Sequence, residues 1–311
     1  MVIELVEQAP CNTCVKDNFA IADNFSLPYT LIKGGGSRPL VLITAGVHGC
    51  EYVGIKTSIS LVEDIELKQY KGSVLLLHTV NPTGFYQKMT SLVPEDMVNL
   101  NRIFQNSYQE PTLSYHIKQF FRERLLPNVD YLIDLHGGNK EELLTPHVYY
   151  SILGDSSVIH QSKELAQVSG SPVIFASSDV GGLYQAAAID YGIPSILLEQ
   201  GDSGTCLPED VHKMRESVRA LLASIFEGKE APKSDQVYYQ KSYSCYSGHL
   251  ACWTCFVRPG DRVNKGQILG QLHTLHGDVL EDFFALESGL VLYQKSNLVT
   301  HIGESLITIA Y

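Results

Sequence analysis

Along the first two-thirds of the chain, apolar positions fall into short runs rich in β-branched residues, separated by stretches with helical spacing. The runs predict strands over 39–45, 73–80, 129–135, 147–153, 172–176 and 195–199. The intervening stretches predict helices over 52–64, 113–125, 157–168, 183–191 and 208–226. This alternation predicts an α/β domain, a largely parallel or mixed sheet with helices on both faces. Functional groups in such sheets gather at the carboxyl ends of the strands. A polar stretch at 227–236 breaks the rhythm and reads as a linker. Beyond it, Gly260, Gly266, Gly270, Gly289 and Gly303 punctuate short strands, which predicts a small all-β, barrel-like unit. The expected division is 1–232 and 233–311.

Charge narrows the partners. The 23 basic and 34 acidic side chains give a net charge of −11 with no basic cluster, a poor match to a nucleic-acid backbone or an anionic lipid surface. No apolar run approaches the roughly 20 residues needed to span a bilayer, and Met1–Glu7 lacks the form of a signal peptide. Neither nucleic acid nor membrane is therefore expected as a partner, and the cytoplasm is the expected compartment. Seven cysteines without an export signal argue against a disulfide framework. Two CxxC pairs, Cys11/Cys14 and Cys252/Cys255, stand at opposite ends of the chain, and ordinary thiols explain them better than a shared structural metal.

Four clusters carry candidate chemistry. In Thr44-Ala45-Gly46-Val47-His48-Gly49-Cys50-Glu51 an apolar strand runs into a glycine-flanked turn. His48 and Glu51 sit three residues apart, a spacing that lets both converge on one ion as a helix begins. Alone, the pair is better explained as a helix-capping Glu beside an unrelated His. A second strand, Val129 to Leu135, also ends in a His, His136, with Asp134 two residues earlier. His48, Glu51 and His136 make a three-ligand set that leaves a fourth position open to water, as in a catalytic zinc site. Asp134 is placed to orient a ligand's far nitrogen. Glu199 ends the apolar strand Ser195-Ile196-Leu197-Leu198. Burying it there is costly without a task, and desolvation would tune it toward a general base. Asn101 and Arg102, inside Leu100-Asn101-Arg102-Ile103-Phe104, can present an amide and a guanidinium fork to a carboxylate.

In this order, with Asn81-Pro82 between the first and the last, the clusters resemble the succinylglutamate desuccinylase/aspartoacylase family of the zinc-carboxypeptidase-like superfamily. The resemblance covers roughly 38–228, and the C-terminal part resembles the lipoyl/biotinyl-type barrel that many bacterial members append. It implies one zinc per chain on His48, Glu51 and His136. It also implies that Glu199 activates water and then protonates the leaving amine, with Asn101 and Arg102 holding a substrate carboxylate. The expected substrate is a small carboxylate-bearing amide, and homo-oligomer formation is left open.

The sequence departs from the family at two places. Ser91 stands where the family usually carries an oxyanion-stabilising Arg, ten residues before Asn101. Lys88 is the nearby cation and the candidate to replace it. No second Arg precedes Glu199 in 183–191, which disfavours substrates that need two carboxylate clamps. The stretch 271–285 has no Lys, so a lipoyl or biotinyl carrier is excluded. Ester hydrolysis, or a binding module with an impaired site, remain the competing readings on sequence alone.

Overall fold

In the computed structural model of the protein, which describes residues 2–64, 70–105, 108–229 and 235–311, a helix α1 (Val2–Gln8) precedes an antiparallel hairpin, β1 (Thr13–Ala22) and β2 (Phe25–Lys33). There follow β3 (Leu40–Ala45), α2 (Tyr52–Asp64), β4 (Ser73–Leu77), α3 (Pro82–Gln87) and α4 (Leu113–Gln119). The α/β part continues through β5 (Tyr131–His136), β6 (Glu142–Leu144), β7 (His147–Ser151), α5 (Ser156–Val168) and β8 (Val173–Ser177). It closes with α6 (Leu183–Tyr191), β9 (Ser195–Glu199), α7 (Pro208–Glu227) and β10 (Val237–Tyr239).

One mixed sheet of nine strands runs β1-β2-β4-β3-β5-β9-β7-β8-β10. Its centre, β4-β3-β5-β9, is parallel, and β7 turns back antiparallel to β9. β3 and β4 are buried at every position because helices cover both faces. Leu132 packs in the layer of α1, α4 and α6, whereas Ile133 and Leu135 pack in the layer of α2, α5 and α7. The two-residue period of β5 therefore puts Asp134 and His136 on the α6 side.

The C-terminal strands are β11 (Ser242–Tyr246), β12 (Ala251–Cys255), β13 (Arg262–Val263), β14 (Ile268–His273), β15 (Val279–Phe284), β16 (Gly289–Lys295), β17 (Val299–Thr300) and β18 (Ser305–Ala310). They form two sheets, β11-β18-β16-β13 and β15-β14-β12-β17, closed over Trp253, Leu269, Leu272, Val291 and Leu306. Two seams fix this unit to the α/β part. β6 pairs with β16, and Val173 and Phe175 pack against Leu290, Leu292 and Ala310.

The fold class is the expected one, α/β with a small all-β unit. Helices α2 and α6 and strand β9 coincide with the predicted 52–64, 183–191 and 195–199. The predicted helix over 113–125 does not run through: α4 ends at Gln119 and a π-turn, Phe120–Leu125, replaces its second half. Phe120, Phe121 and Leu125 are all buried in that turn. The predicted boundary at 232/233 lies outside the described residues, and β10 after it still pairs with β8. Cys11 and Cys14 are exposed near the start of β1, while Cys252 and Cys255 lie on β12. Among the described residues no helix is long and apolar enough to cross a membrane.

Candidate active site

The turn after β3 is tight. Gly46 adopts φ +61°, and a Cβ there would lie 2.5 Å from the Thr79 hydroxyl, so only glycine fits. The chain then swings His48 and Glu51 over the end of β5. Glu51 is buried with a histidine on each side: Oε1 lies 2.5 Å from His48 Nδ1 and Oε2 lies 2.8 Å from His136 Nδ1. In both imidazoles Nδ1 faces Glu51 and Nε2 is held from behind. Asn99 Oδ1 stands 3.1 Å from His48 Nε2, and Asp134 Oδ2 stands 3.2 Å from His136 Nε2. Asp134 is itself fixed by the Thr44 hydroxyl, which donates to Oδ1 at 2.7 Å.

Among the described residues, His48, Glu51 and His136 form the one group of three or more His, Cys, Asp or Glu with ligand atoms all within 4.8 Å of one another. Two imidazole nitrogens and a carboxylate suit a divalent metal with an open position. The electrostatics agree. Burial alone would raise the Glu51 carboxyl, yet His48 and His136 bring it down to about 2. Burial alone would lower His136, yet Glu51 and Asp134 hold it well above its ordinary value. The pocket is thus built to keep positive charge beside Glu51.

Glu199 faces this group from the next strand. His136, Glu199 and His147 lie in one row across β5, β9 and β7. Burial and Glu51 push the Glu199 carboxyl well above the ordinary carboxylate range, against the pull of His136. Its Oε2 is buried without a hydrogen-bond partner, and its Oε1 accepts from the Tyr293 hydroxyl at 3.3 Å. Tyr293 comes from β16 of the C-terminal unit. The Tyr293 hydroxyl also lies 3.0 Å from His147 Nε2 and accepts from Tyr149 at 3.3 Å. His147 Nδ1 sits 2.6 Å from the Thr145 carbonyl, which accepts only, so Nδ1 carries the proton and Nε2 is an acceptor. Burial pushes His147 down to about 4, so it stays neutral. The single proton of Tyr293 therefore has two acceptors, His147 and Glu199.

His48, Glu51, His136, Glu199, Tyr149 and Tyr293 line a cavity of about 430 Å³. Asn101 and Arg102 form part of its wall. Asn101 Oδ1 accepts from Leu183 N at 3.2 Å, tying the loop to the start of α6. One guanidinium nitrogen of Arg102 donates to the Asn101 carbonyl at 2.9 Å. Ser91 and Glu142 line the same space. Lys88 does not: it is exposed at the left-handed cap of α3, where its carbonyl accepts from Lys140.

The profile of the succinylglutamate desuccinylase/aspartoacylase catalytic domain matches residues 37–225, more than half of the chain. The chain belongs to this family. The family's reaction is amide hydrolysis of N-acyl amino acids. A curated member, the N-alpha-acetyl-L-2,4-diaminobutyric acid deacetylase of Halomonas elongata, is 26% identical over 295 residues, spanning 91% of this chain and 85% of that protein. Among solved structures, the product-bound ectoine utilization protein EutE (DoeB) of Ruegeria pomeroyi superposes with a TM-score of 0.86 at 20% identity, covering 97% of each chain. A succinylglutamate desuccinylase/aspartoacylase from Rhodobacter sphaeroides gives 0.82 at 21% identity, covering 96% of this chain and 95% of its own. These superpositions extend the shared fold over the C-terminal unit as well.

The structure brings His48, Glu51, Asn101, Arg102, His136 and Glu199 to the wall of one cavity, with Asp134 directly behind His136. Sequence reasoning missed Asn99, Glu142, His147 and Tyr293. Asn99 stands two residues before Asn101 and was open to notice. Tyr293 carries no local signal, since it reaches the site only through the pairing of β16 with β6.

Proposed function

We propose that the protein is a zinc-dependent hydrolase that cleaves the amide of a small N-acyl amino acid carrying one carboxylate. The observation that carries this reading is the buried, unpartnered Oε2 of Glu199 beside the His48–Glu51–His136 group. A buried carboxylate oxygen left unpaired is costly unless a reactant or water completes it.

His48, Glu51 and His136 would hold one zinc ion through Nδ1, the carboxylate and Nδ1. Bound there, zinc supplies Lewis acidity that polarises the amide carbonyl and makes water more acidic. Glu199 takes a proton from the attacking water and returns it to the leaving nitrogen. The Tyr293 proton follows these changes: it is drawn to Glu199 while that carboxylate is charged and turns to His147 once Glu199 is protonated. Asp134 and Asn99 keep the two imidazoles aimed. Arg102 and Asn101 receive the carboxylate, and one such clamp selects for one carboxylate. Residues 1–232 act as the catalytic domain, and 233–311, a lipoyl/biotinyl-like β domain, closes the cavity wall. The diaminobutyrate relative, by its name, acts on a substrate of this class.

Metal analysis of the purified chain, paired with a screen of N-acyl amino acids, tests the reading. About one zinc per chain and turnover of at least one carboxylate-bearing amide are expected, with both lost in His136→Ala. Full zinc occupancy in His136→Ala, or no turnover by zinc-loaded protein, contradicts it.

A further inference from the structure

A second cavity, about 340 Å³, opens beside the first. The two share Ser91, Asn139, Glu142, Tyr293 and Ser305, whereas neither the metal group nor Asn101 and Arg102 reach the second. It lies between the α/β part and the C-terminal unit, and it continues the substrate space past the reacting centre.

The polar groups around it are unevenly satisfied. Lys295 is nearly buried and is claimed by Glu141 at 2.9 Å and Glu304 at 3.0 Å. Each of those two acids therefore has an ion-pair partner, one ammonium shared between them. Glu142 is not: its Oε2 accepts from the Asn139 amide at 3.3 Å, and it makes no ion pair among the described residues. Burial and the nearby Glu51 push Glu142 up to about 7, the condition of a carboxylate lacking a cation. A second observation is independent of charge. Gln294, which lines this cavity, has a buried Oε1 with no hydrogen-bond partner. Glu142 lacks a cation and Gln294 Oε1 lacks a donor, so a positively charged donor would complete both. Ser91 stands at the junction, where a small side chain leaves the passage open and an arginine would fill it and bring its own positive charge.

We propose that this side cavity is the subsite for the acyl half of the substrate, and that it takes an acyl chain longer than acetyl ending in an ammonium, received by Glu142 and Gln294. The proposal rests on the reading above, in which Arg102 holds the carboxylate of the amino-acid half. The acyl half then extends away from the clamp toward Ser91 and Glu142. The reaction is ordinary hydrolysis: water adds to the acyl carbon, the C–N bond breaks, and the nitrogen leaves with a proton. The products are an ω-amino acid and a free amino acid, and no further reactant is needed.

The test uses the zinc-loaded full chain and four amides of one amino acid: acetyl, propanoyl, β-alanyl and succinyl. The β-alanyl group differs from propanoyl by its ammonium, and succinyl carries an anion instead. kcat/KM for β-alanyl should exceed that for propanoyl by about tenfold or more, the usual size of a charge-assisted hydrogen bond, with succinyl poorest. Glu142→Gln should bring the β-alanyl to propanoyl ratio toward one. Ser91→Arg, read separately, should lower the β-alanyl to acetyl ratio by blocking the passage. Ratios within each variant cancel any general loss of activity. Hydrolysis of acetyl and propanoyl amides with no β-alanyl preference, or a preference that both variants leave intact, overturns this proposal and spares the proposed function. Failure of all four amides removes the proposed function as well.

Discussion

Tyr293 and Glu199 meet at 3.3 Å across 94 positions of sequence, one on the C-terminal β unit and one at the end of a central strand. The C-terminal unit thus places a side chain against the proposed base, and the site is assembled only when both parts are in place. Tyr293→Phe removes the donor and leaves the ring packing. A hydrogen bond to a charged group contributes roughly 1.5–3 kcal/mol, so kcat should fall about 10- to 100-fold with KM little changed. Without the donor the charged form of Glu199 is less favoured, and the acid limb of the kcat/KM profile should move to higher pH. Native kcat with an unmoved limb would show that the contact is incidental.

Glu142 ties stability to pH. Folded, its carboxyl sits at about 7 against an ordinary 4.5, so between those values the folded state holds more proton than the unfolded chain. Stability from this group is therefore lost as pH rises through that window, by at most about 3 kcal/mol. Denaturant unfolding of the metal-free chain should show Glu142→Gln gaining on the wild type between pH 4.5 and pH 8. Parallel curves for the two proteins would mean that Glu142 is not held protonated.

Arg102→Lys keeps the charge and discards the planar fork. With the carboxylate clamp in use, kcat/KM on the favoured N-acyl amino acid should fall about tenfold or more while zinc content stays the same. Equal turnover of amides with and without the carboxylate, insensitive to this change, would remove the clamp from the account.

Much of this architecture was legible because strand ends and glycines mark it. His48, His136 and Glu199 each follow an apolar run, and period-two alternation places Asp134 and His136 on one face. The N-terminal hairpin was not legible. β1 buries only Phe19 fully, so its sequence lacks the apolar alternation of a core-facing strand. The π-turn at Phe120–Leu125 was hidden because the flanking spacing is helical and the apolar pattern carries no mark of one extra residue in the turn. His147 looks like any histidine at a strand start. Its role depends on Tyr293, and no local pattern can signal a contact made between two domains.

The account stands most directly on Glu199→Gln, with zinc content and turnover measured on the same preparation. The substitution keeps the shape of the side chain and removes its basicity. Zinc should remain at about one per chain while kcat falls on the order of 100- to 10,000-fold. Near-native turnover, or loss of the metal with the activity, would contradict the assignment of Glu199 as the base beside a His48–Glu51–His136 metal site.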